Sequence, residues 1–170
     1  MSNNKFLDVT KEWLDKATPN SHIILNSTFY KDINGVIYNV DGTNVILDYS
    51  IEEKKMAIWL ENTFGGKIYM NPKVNIPKGI KTADYIWNGE RWDLKSLSDN
   101  AISKSRAVDN LLKNGKYQAN NIILNITKTK LSKMNIIIQI KNIYNDPKRI
   151  WIDKIIIVKN YKLIKIYKRK

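Results

Sequence analysis

The sequence of 170 residues contains no cysteine and a single histidine, His22. Disulfide bonds, thiolate metal sites and zinc sites built on several histidines are therefore excluded. His22 lies in an apolar run well upstream of the polar motifs described below, so we interpret it as a strand residue. Chemistry that uses two histidines is also disfavoured, which leaves carboxylates and lysines as the candidate catalytic groups.

Long apolar runs are lacking as well. No run approaches the roughly 18 uninterrupted apolar residues that cross a bilayer, and the N-terminus has no apolar signal-peptide core. We therefore expect no membrane span, while delivery by a larger carrier stays open. With 43% hydrophobic residues, a chain of this length is expected to bury one core and to have room for an appendage.

Acidic residues are few beside the basic ones, with 16 against 29 and a formal net charge of +13. Such an excess is typical of proteins that bind polyanions, most often nucleic acid and sometimes an anionic membrane. Residues 148–170 hold nine basic residues and only one acidic residue. A basic tail can also serve solubility alone, and an AT-rich genome would itself enrich Lys, Asn and Ile.

The clearest local signal is Asn88-Gly89, which lies between two short runs rich in aromatic and aliphatic residues. This dipeptide favours the two-residue type I′ turn of a β-hairpin. A turn of two residues fixes the register, so that Tyr85 faces Trp92 and, one position further out, Asp84 faces Asp93. The sequence therefore predicts two carboxylates opposite each other on neighbouring strands.

Asp84 and Asp93 would be about 5 Å apart at Cβ, where like charges destabilise a sheet. The pair can share a proton, lie open to water as an ordinary polar face, or hold a divalent cation beside Lys95. We favour the cation, because a helix carrying Glu53 precedes the hairpin and the chain is strongly basic. Capping of that helix by Ser50 and Glu53 would also explain Glu53 without any catalytic role.

The remaining elements follow from hydrophobic periodicity and turn residues. Residues 1–44 are predicted to form a small appendage of one helix and a β-meander, and residues 45–170 a second domain with the order α-β-β-β-α-β-α-β-β. Outside the hairpin, the predicted helices cover residues 5–17, 51–64, 96–114 and 131–144, and the predicted strands cover residues 22–26, 29–33, 36–40, 44–49, 67–70, 121–126, 151–159 and 161–167. Residues 71–81, with two prolines and one glycine, are predicted to form a loop.

A helix, three strands with Asp on the second and Asp-x-Lys on the third, then a helix and a strand, is the order found in PD-(D/E)xK nucleases. The chain resembles that superfamily, and more closely the C-terminal toxin domains of contact-dependent growth inhibition (CdiA) systems, with related modules in phage and mobile-element proteins. Ala83 stands where the family has proline. The resemblance covers about residues 45–170 and is carried by Glu53-Lys-Lys-Met-Ala57, Asn75-Ile-Pro77, Ala83-Asp84-Tyr85, Asn88-Gly89, Trp92-Asp-Leu-Lys95 and Gln118-Ala-Asn-Asn-Ile-Ile-Leu124.

This resemblance implies an α/β (α+β) fold with a restriction-endonuclease-like central mixed sheet flanked by helices. It also implies that Asp84 and Asp93 bind Mg²⁺ or Mn²⁺ with help from Glu53. Lys95 would orient or deprotonate the attacking water, and Gln118 would position that water or a phosphate. Hard cations do prefer carboxylate oxygens, and they promote phosphodiester hydrolysis. Contacts with substrate phosphates are expected from Lys104, Arg106, Lys168, Arg169 and Lys170.

The function implied is that of a metal-dependent nuclease, with tRNA as the first expected substrate and DNA as the second. A metal-free, barnase-like tRNase that uses Lys95, Thr127 and Lys128 is an alternative, and a non-catalytic nucleic-acid-binding module is another. By family analogy, an acidic immunity protein would be the cognate partner. The site of action would be the cytoplasm, after delivery as part of a larger toxin.

Overall fold

The computed structural model describes residues 4–21, 23–99 and 104–170, so the interpretation of His22 lies outside the described residues. The helices are α1 (Thr10–Lys16), α2 (Ile51–Phe64), α3 (Ala107–Leu112) and α4 (Lys133–Asn145), with short 3-10 helices at Lys104–Arg106, Lys113–Gly115 and Pro147–Arg149. The strands are β1 (Phe6–Asp8), β2 (Ile24–Asn26), β3 (Phe29–Lys31), β4 (Ile37–Asn39), β5 (Val45–Ile46), β6 (Ile68–Met70), β7 (Lys73–Val74), β8 (Tyr85–Trp87), β9 (Glu90–Ser98), β10 (Asn121–Lys128), β11 (Lys154–Lys159) and β12 (Lys162–Arg169).

The chain divides into two compact units. The first comprises residues 1–13, 94–116 and 120–170, and the second comprises residues 14–93 and 117–119. Strand β9 begins in the second unit and ends in the first. The boundary predicted at residue 44 stays a prediction.

In the first unit the strand order is β1-β12-β11-β10-β9. Strands β10 and β11 are parallel, whereas β12 is antiparallel to both of its neighbours. Strands β10 and β11 are buried over most of their length, and their central residues, 122–124 and 155–158, are apolar, as expected for strands that are buried on both faces. Helices α3 and α4 contribute Val108, Leu112, Ile136 and Ile140 to the same core.

The N-terminal helix predicted over residues 5–17 is wrong at its start, because Phe6–Asp8 forms β1 and pairs with β12. The Phe6 ring lies 5.2 Å from that of Tyr144 and 5.4 Å from that of Tyr167, which buries it. The Asp8 carboxylate accepts from the backbone N–H of Thr10 at 3.0 Å, so the helix begins only at Thr10. Tertiary packing of one aromatic residue thus outweighs the helical periodicity.

In the second unit the strand order is β9-β8-β6-β2, and two small ribbons, β3–β4 and β5–β7, accompany it. The predicted hairpin is confirmed. Asn88 and Gly89 have φ angles of 52° and 80°, as a type I′ turn requires, and Tyr85 pairs with Trp92. Residues 71–81, predicted to be a loop, contain strand β7, which pairs with β5.

The predicted mixed α/β class is confirmed, because each unit contains helices and a sheet with both parallel and antiparallel strand pairs. The restriction-endonuclease-like topology stays a prediction. The helix predicted over residues 96–114 is wrong at its start, because β9 continues to Ser98 and α3 begins at Ala107. Within the described ranges, no helix has both the length and the apolar character needed to cross a membrane.

Candidate active site

The hairpin places two acidic residues next to each other, as its register predicts. Tyr85 pairs with Trp92, so the next position outward sets Asp84 opposite Asp93. Only 8% of Asp84 and 2% of Asp93 is exposed. An ordinary solvated polar face would leave both carboxylates in water, so their burial disfavours that interpretation.

Glu53 has two roles, one for each carboxylate oxygen. In the first turn of α2, its Oε2 accepts from the backbone N–H of Ser50 at 3.3 Å, while the Ser50 hydroxyl accepts from the Glu53 N–H at 3.1 Å. This reciprocal capping box satisfies two N–H groups at the helix start. The other oxygen, Oε1, lies 3.7 Å from the Nζ of Lys73. Helix capping and participation in an acidic site are therefore compatible.

Tyr85 ties this helix to the hairpin. Its hydroxyl donates to the backbone carbonyl of Glu53 at 2.6 Å, and its side chain is fully buried. Burial, followed by the charges of Asp84 and Glu53, raises the pKa of the Tyr85 hydroxyl, so it stays protonated and continues to donate. The hydrogen bond fixes the first turn of α2 beside strand β8.

Lys73, which the sequence reasoning missed, brings these acidic residues together. Its Nζ donates to Oδ1 of Asp84 at 3.0 Å and lies 3.7 Å from Oε1 of Glu53. Strand β7 positions it, with Lys73 opposite Ile46 of β5. No sequence motif marks the residue, since the pairing of β5 with β7 joins residues far apart in the chain.

The three acidic residues act electrostatically on this one ammonium group. Burial lowers the pKa of Lys73, but the charges of Asp84, Glu53 and Asp93 and the hydrogen bond to Asp84 outweigh it and raise the pKa above its ordinary value. Lys73 is therefore a cation at neutral pH. Burial and the charge of Asp84 raise the pKa of Glu53, although Lys73 and the hydrogen bond from Ser50 act in the opposite direction.

The donor chemistry of Glu53, Asp84 and Asp93 fits a hard divalent cation, because all three offer carboxylate oxygens. Two of them already converge on one positive charge, which is the ammonium of Lys73. In the part of the chain that the structure describes, no three Asp, Glu, His or Cys side chains are arranged as a ready-made metal cluster. In this structure the cation beside the carboxylates of Glu53 and Asp84 is therefore the ammonium group of Lys73.

The other two predicted catalytic residues are Lys95 and Gln118. Lys95 is partly buried further along β9, within the first unit, and Gln118 is partly buried within the second unit. Their roles stay predictions. Thr127, which the metal-free alternative would use, donates its hydroxyl to Oδ1 of Asn125 at 2.6 Å and accepts from the N–H of Asn160 at 2.9 Å. That hydroxyl therefore has a structural function.

Lys104 and Arg106, two of the residues predicted to contact phosphate, are exposed. Arg106 also pairs with Asp109 at 3.0 Å, and Asp109 binds the Nε of Arg149 at 2.7 Å. Lys104 therefore presents its charge to solvent more freely than Arg106, whose charge is partly neutralised.

The three C-terminal residues that were predicted to contact phosphate also differ in how far their charges are available to solvent. Arg169 donates through Nε, Nη1 and Nη2 to the carbonyls of Ile152, Tyr144 and Arg149 at 2.8, 3.0 and 2.8 Å. All three of its nitrogens are used within the fold. The phosphate contact predicted for this tail therefore rests on Lys168 and Lys170, which are exposed.

Comparison with known proteins identifies a segment of similarity. Residues 81–163, just under half of the chain, match the family model for the contact-dependent growth inhibition CdiA C-terminal domain. This segment contains Asp84 and Asp93, whereas Glu53 and Lys73 precede it. The predicted resemblance to CdiA-type domains is confirmed for this segment, while the PD-(D/E)xK assignment stays a prediction.

A solved structure, described as the CdiA-CT/CdiI toxin and immunity complex from Burkholderia pseudomallei, contains a chain that is 27% identical to this one. The TM-score is 0.48, and the match covers 68% of this chain and 81% of the other. No protein of curated function matches the chain.

Proposed function

We propose that this chain is a nuclease-type toxin domain that hydrolyses phosphodiester bonds of tRNA, with a DNase on the same scaffold as the alternative. The observation that carries the proposal is the convergence of Glu53 and Asp84, from a helix and a hairpin, on the single cation of Lys73, with the buried Asp93 acting on the same charge. The match of residues 81–163 to the CdiA C-terminal family model supports the assignment to toxins.

Stability alone is a poor explanation for such a cluster. Removing carboxylates from water costs several kcal/mol per ion, and well-packed apolar residues often stabilise a fold equally well. Buried acidic groups held close together are instead common where a protein binds a cation or carries out catalysis. The convergence of Glu53 and Asp84 on one cation, with Asp93 acting on the same charge, fits such a role better than a purely structural one.

We propose Glu53, Asp84 and Asp93 as the residues that would hold Mg²⁺ or Mn²⁺. Such an ion, when bound, lowers the pKa of a water ligand and neutralises charge on the phosphodiester. Lys73 would keep its charge beside the same carboxylates, where it can donate to a phosphate oxygen of the substrate. The sequence motif assigns the orientation of the attacking water to Lys95 and leaves Gln118 to position the water or a phosphate.

The net charge of +13 supports a polyanionic substrate. Lys104, Lys168 and Lys170 are exposed and suited to contacts with the sugar-phosphate backbone. The same charge suits an acidic immunity protein, which we propose as the cognate partner by analogy with the matched family. We further propose that a larger toxin carries the domain and that it acts in the cytoplasm.

The test is incubation of the purified protein with total tRNA, plasmid DNA and linear DNA, each in the presence of Mg²⁺, Mn²⁺ or EDTA. Asp93→Asn changes the charge but hardly the shape of the side chain, and the exposed Asp48→Asn is the matched control. We expect discrete tRNA fragments with the wild type and with Asp48→Asn. With Asp93→Asn the rate should fall at least 100-fold, which is the order of loss for one group that stabilises a transition state.

The outcomes separate the alternatives. Cleavage of DNA that requires the same metal and Asp93 would support the proposed site and identify DNA as the substrate. Cleavage that continues in EDTA would refute the requirement for a metal ion. It would favour a metal-free site in which Lys73 or Lys95 supplies the positive charge. If no nucleic acid is cleaved under any condition, the nuclease proposal fails and a nucleic-acid-binding module takes its place.

A further inference from the structure

A cleft of about 460 Å³ lies in the second unit, outside the acidic cluster. Its walls are the turn between β3 and β4, the segment 79–81 and the side chain of Tyr117. Cavities of this volume are within the range that binds small molecules or single groups of larger ones. None of the residues proposed above for catalysis lines it.

The lining combines apolar surface with two opposite charges, those of Lys81 and Asp32. The N–H groups of Asn34 and Val36 and the hydroxyl of Tyr38 already donate to the Asp32 carboxylate. Ile33 is 59% exposed and Tyr117 is 55% exposed, so an aliphatic and an aromatic surface face the solvent here. Lys81 is exposed at the same cleft, and Asn34 adds an amide that can both donate and accept hydrogen bonds. An aromatic face beside a cation is the combination that binds unpaired nucleobases through stacking, with the phosphate nearby.

Hydrogen bonds hold the cleft walls in place. The buried hydroxyl of Tyr30 donates to the carbonyl of Lys81 at 3.2 Å and accepts from Nη1 of Arg91 at 2.6 Å. Within the turn, Oδ1 of Asp32 accepts from the N–H groups of Asn34 and Val36, both at 2.9 Å. The turn and the segment 79–81 are therefore fixed before any ligand binds, which lowers the entropic cost of binding.

The cleft is also close to the acidic cluster along the chain. Lys81 precedes Asp84 by three residues, and an extended chain spans at most ~3.6 Å per residue, so their Cα atoms are within about 11 Å. This distance is of the order of one or two nucleotides. A base that entered the cleft would hold a phosphate of the same strand near the carboxylates.

We infer that this cleft binds an unpaired base of the RNA substrate, with the base stacked on Tyr117 and the neighbouring phosphate beside Lys81. The inference rests on the proposed function for its substrate class and goes beyond it, since it adds a base-binding site and a preference for unpaired nucleotides. Apolar contact alone would suit many occupants, but the cation and the amide beside the ring favour a nucleotide over an apolar peptide.

The test measures RNA binding without cleavage, in an Asp93→Asn background. Fluorescence anisotropy gives the Kd for a labelled single-stranded RNA and for a blunt RNA duplex that offers no unpaired base. Tyr117→Ala should weaken single-strand binding on the order of tenfold, the loss expected for one stacked base. Tyr117→Phe keeps the ring and should bind within about twofold of its parent, whereas Tyr117→Leu keeps apolar volume without a flat face and should behave like the alanine variant.

Duplex binding should be unaffected by any of these changes, and Ile58→Ala, on an exposed face of α2, is the control for a generic loss of surface apolar area. Unchanged single-strand affinity in Tyr117→Ala would overturn the inference and leave the cleft to another occupant, such as a protein partner. An equal loss for duplex and single strand would overturn it too. The binding test does not depend on cleavage. If the wild type cleaved no nucleic acid, the proposed function would be refuted, but a loss of single-strand affinity in Tyr117→Ala would still support the base-binding cleft.

Discussion

Lys73 places its positive charge between two acidic side chains that come from different parts of the chain. An ammonium group in this position holds together carboxylates that would otherwise repel each other. It is also the counter-ion that a divalent cation would have to compete with. The residue therefore has a structural role and, in the proposed nuclease, a catalytic one.

Lys73→Met removes the charge but keeps much of the aliphatic chain. We expect it to lower the free energy of unfolding by about 1–3 kcal/mol at pH 7, because Asp84 and Glu53 then lose a shared partner. Urea denaturation measures this change. Lys78→Met, at an exposed position of the same segment, is the control and should have little effect.

Added Mg²⁺ or Mn²⁺ should restore part of the stability lost in Lys73→Met, since the carboxylates of Glu53 and Asp84 then no longer bind the Lys73 ammonium. The same ions should stabilise the wild type less, because Lys73 competes with them. Equal stabilisation of the two proteins would contradict the proposed competition between Lys73 and the metal ion. If neither protein were stabilised, the proposed metal site would be contradicted as well.

Asp109 joins two elements of the first unit, helix α3 and the 3-10 helix Pro147–Arg149. Burial raises the pKa of Asp109, but the hydrogen bonds from Arg149 and Arg106 outweigh it, so its pKa lies below the ordinary 3.8. A carboxyl whose pKa is lowered by folding contributes stability above its ordinary pKa and loses that contribution as the pH falls through the lowered value.

Asp109→Asn should therefore be less stable than the wild type by about 1–3 kcal/mol at pH 7. The difference should shrink as the pH falls below 3.8, and urea denaturation at pH 7 and at pH values below 3.8 measures it. Asp48→Asn serves as the exposed control. A difference that does not change with pH would mean that the charge of Asp109 is not what stabilises the contact.

Elements with strong local signals were predictable from the sequence. The Asn88-Gly89 turn specifies its own hairpin, and the capping box of Ser50 and Glu53 specifies the start of α2, since both depend on residues a few positions apart. This local information is also enough to predict that Asp84 and Asp93 face each other.

Elements that depend on distant partners were not predictable in this way. Phe6 belongs to a strand because of Tyr144, Tyr167 and β12, all far along the chain. Lys73 reaches the acidic cluster because β7 pairs with β5, and two prolines in residues 71–81 favoured a loop instead. Non-local pairing also explains why Lys73 was missed, whereas Glu53, Asp84 and Asp93 were predicted from the sequence.

At the scale of the whole molecule, the basic charge should govern how nucleic acid binds. The affinity for tRNA should fall steeply with salt, because each lysine that contacts a phosphate releases a counter-ion. Binding is measured in the Asp93→Asn background over a series of salt concentrations. Lys168→Gln with Lys170→Gln should reduce the slope of log affinity against log salt by roughly one to two.

The charge-matched control is Lys11→Gln with Lys16→Gln, two exposed positions on α1. If both double variants change the slope equally, net charge alone explains binding and the C-terminal strand has no particular part in it. If neither changes it, the phosphate contacts lie elsewhere, and Lys104 is the next residue to replace.

The pairing of β1 with β12 sets an order of events during synthesis. Phe6 is synthesised well before its strand partner Arg169, and most of the first unit lies between them in the chain. The sheet of the first unit therefore cannot be completed until β12 has been made, nor while the chain is threaded through a narrow passage from either end. In the cell that produces the chain, a complete first unit therefore exists only after β12 has been made.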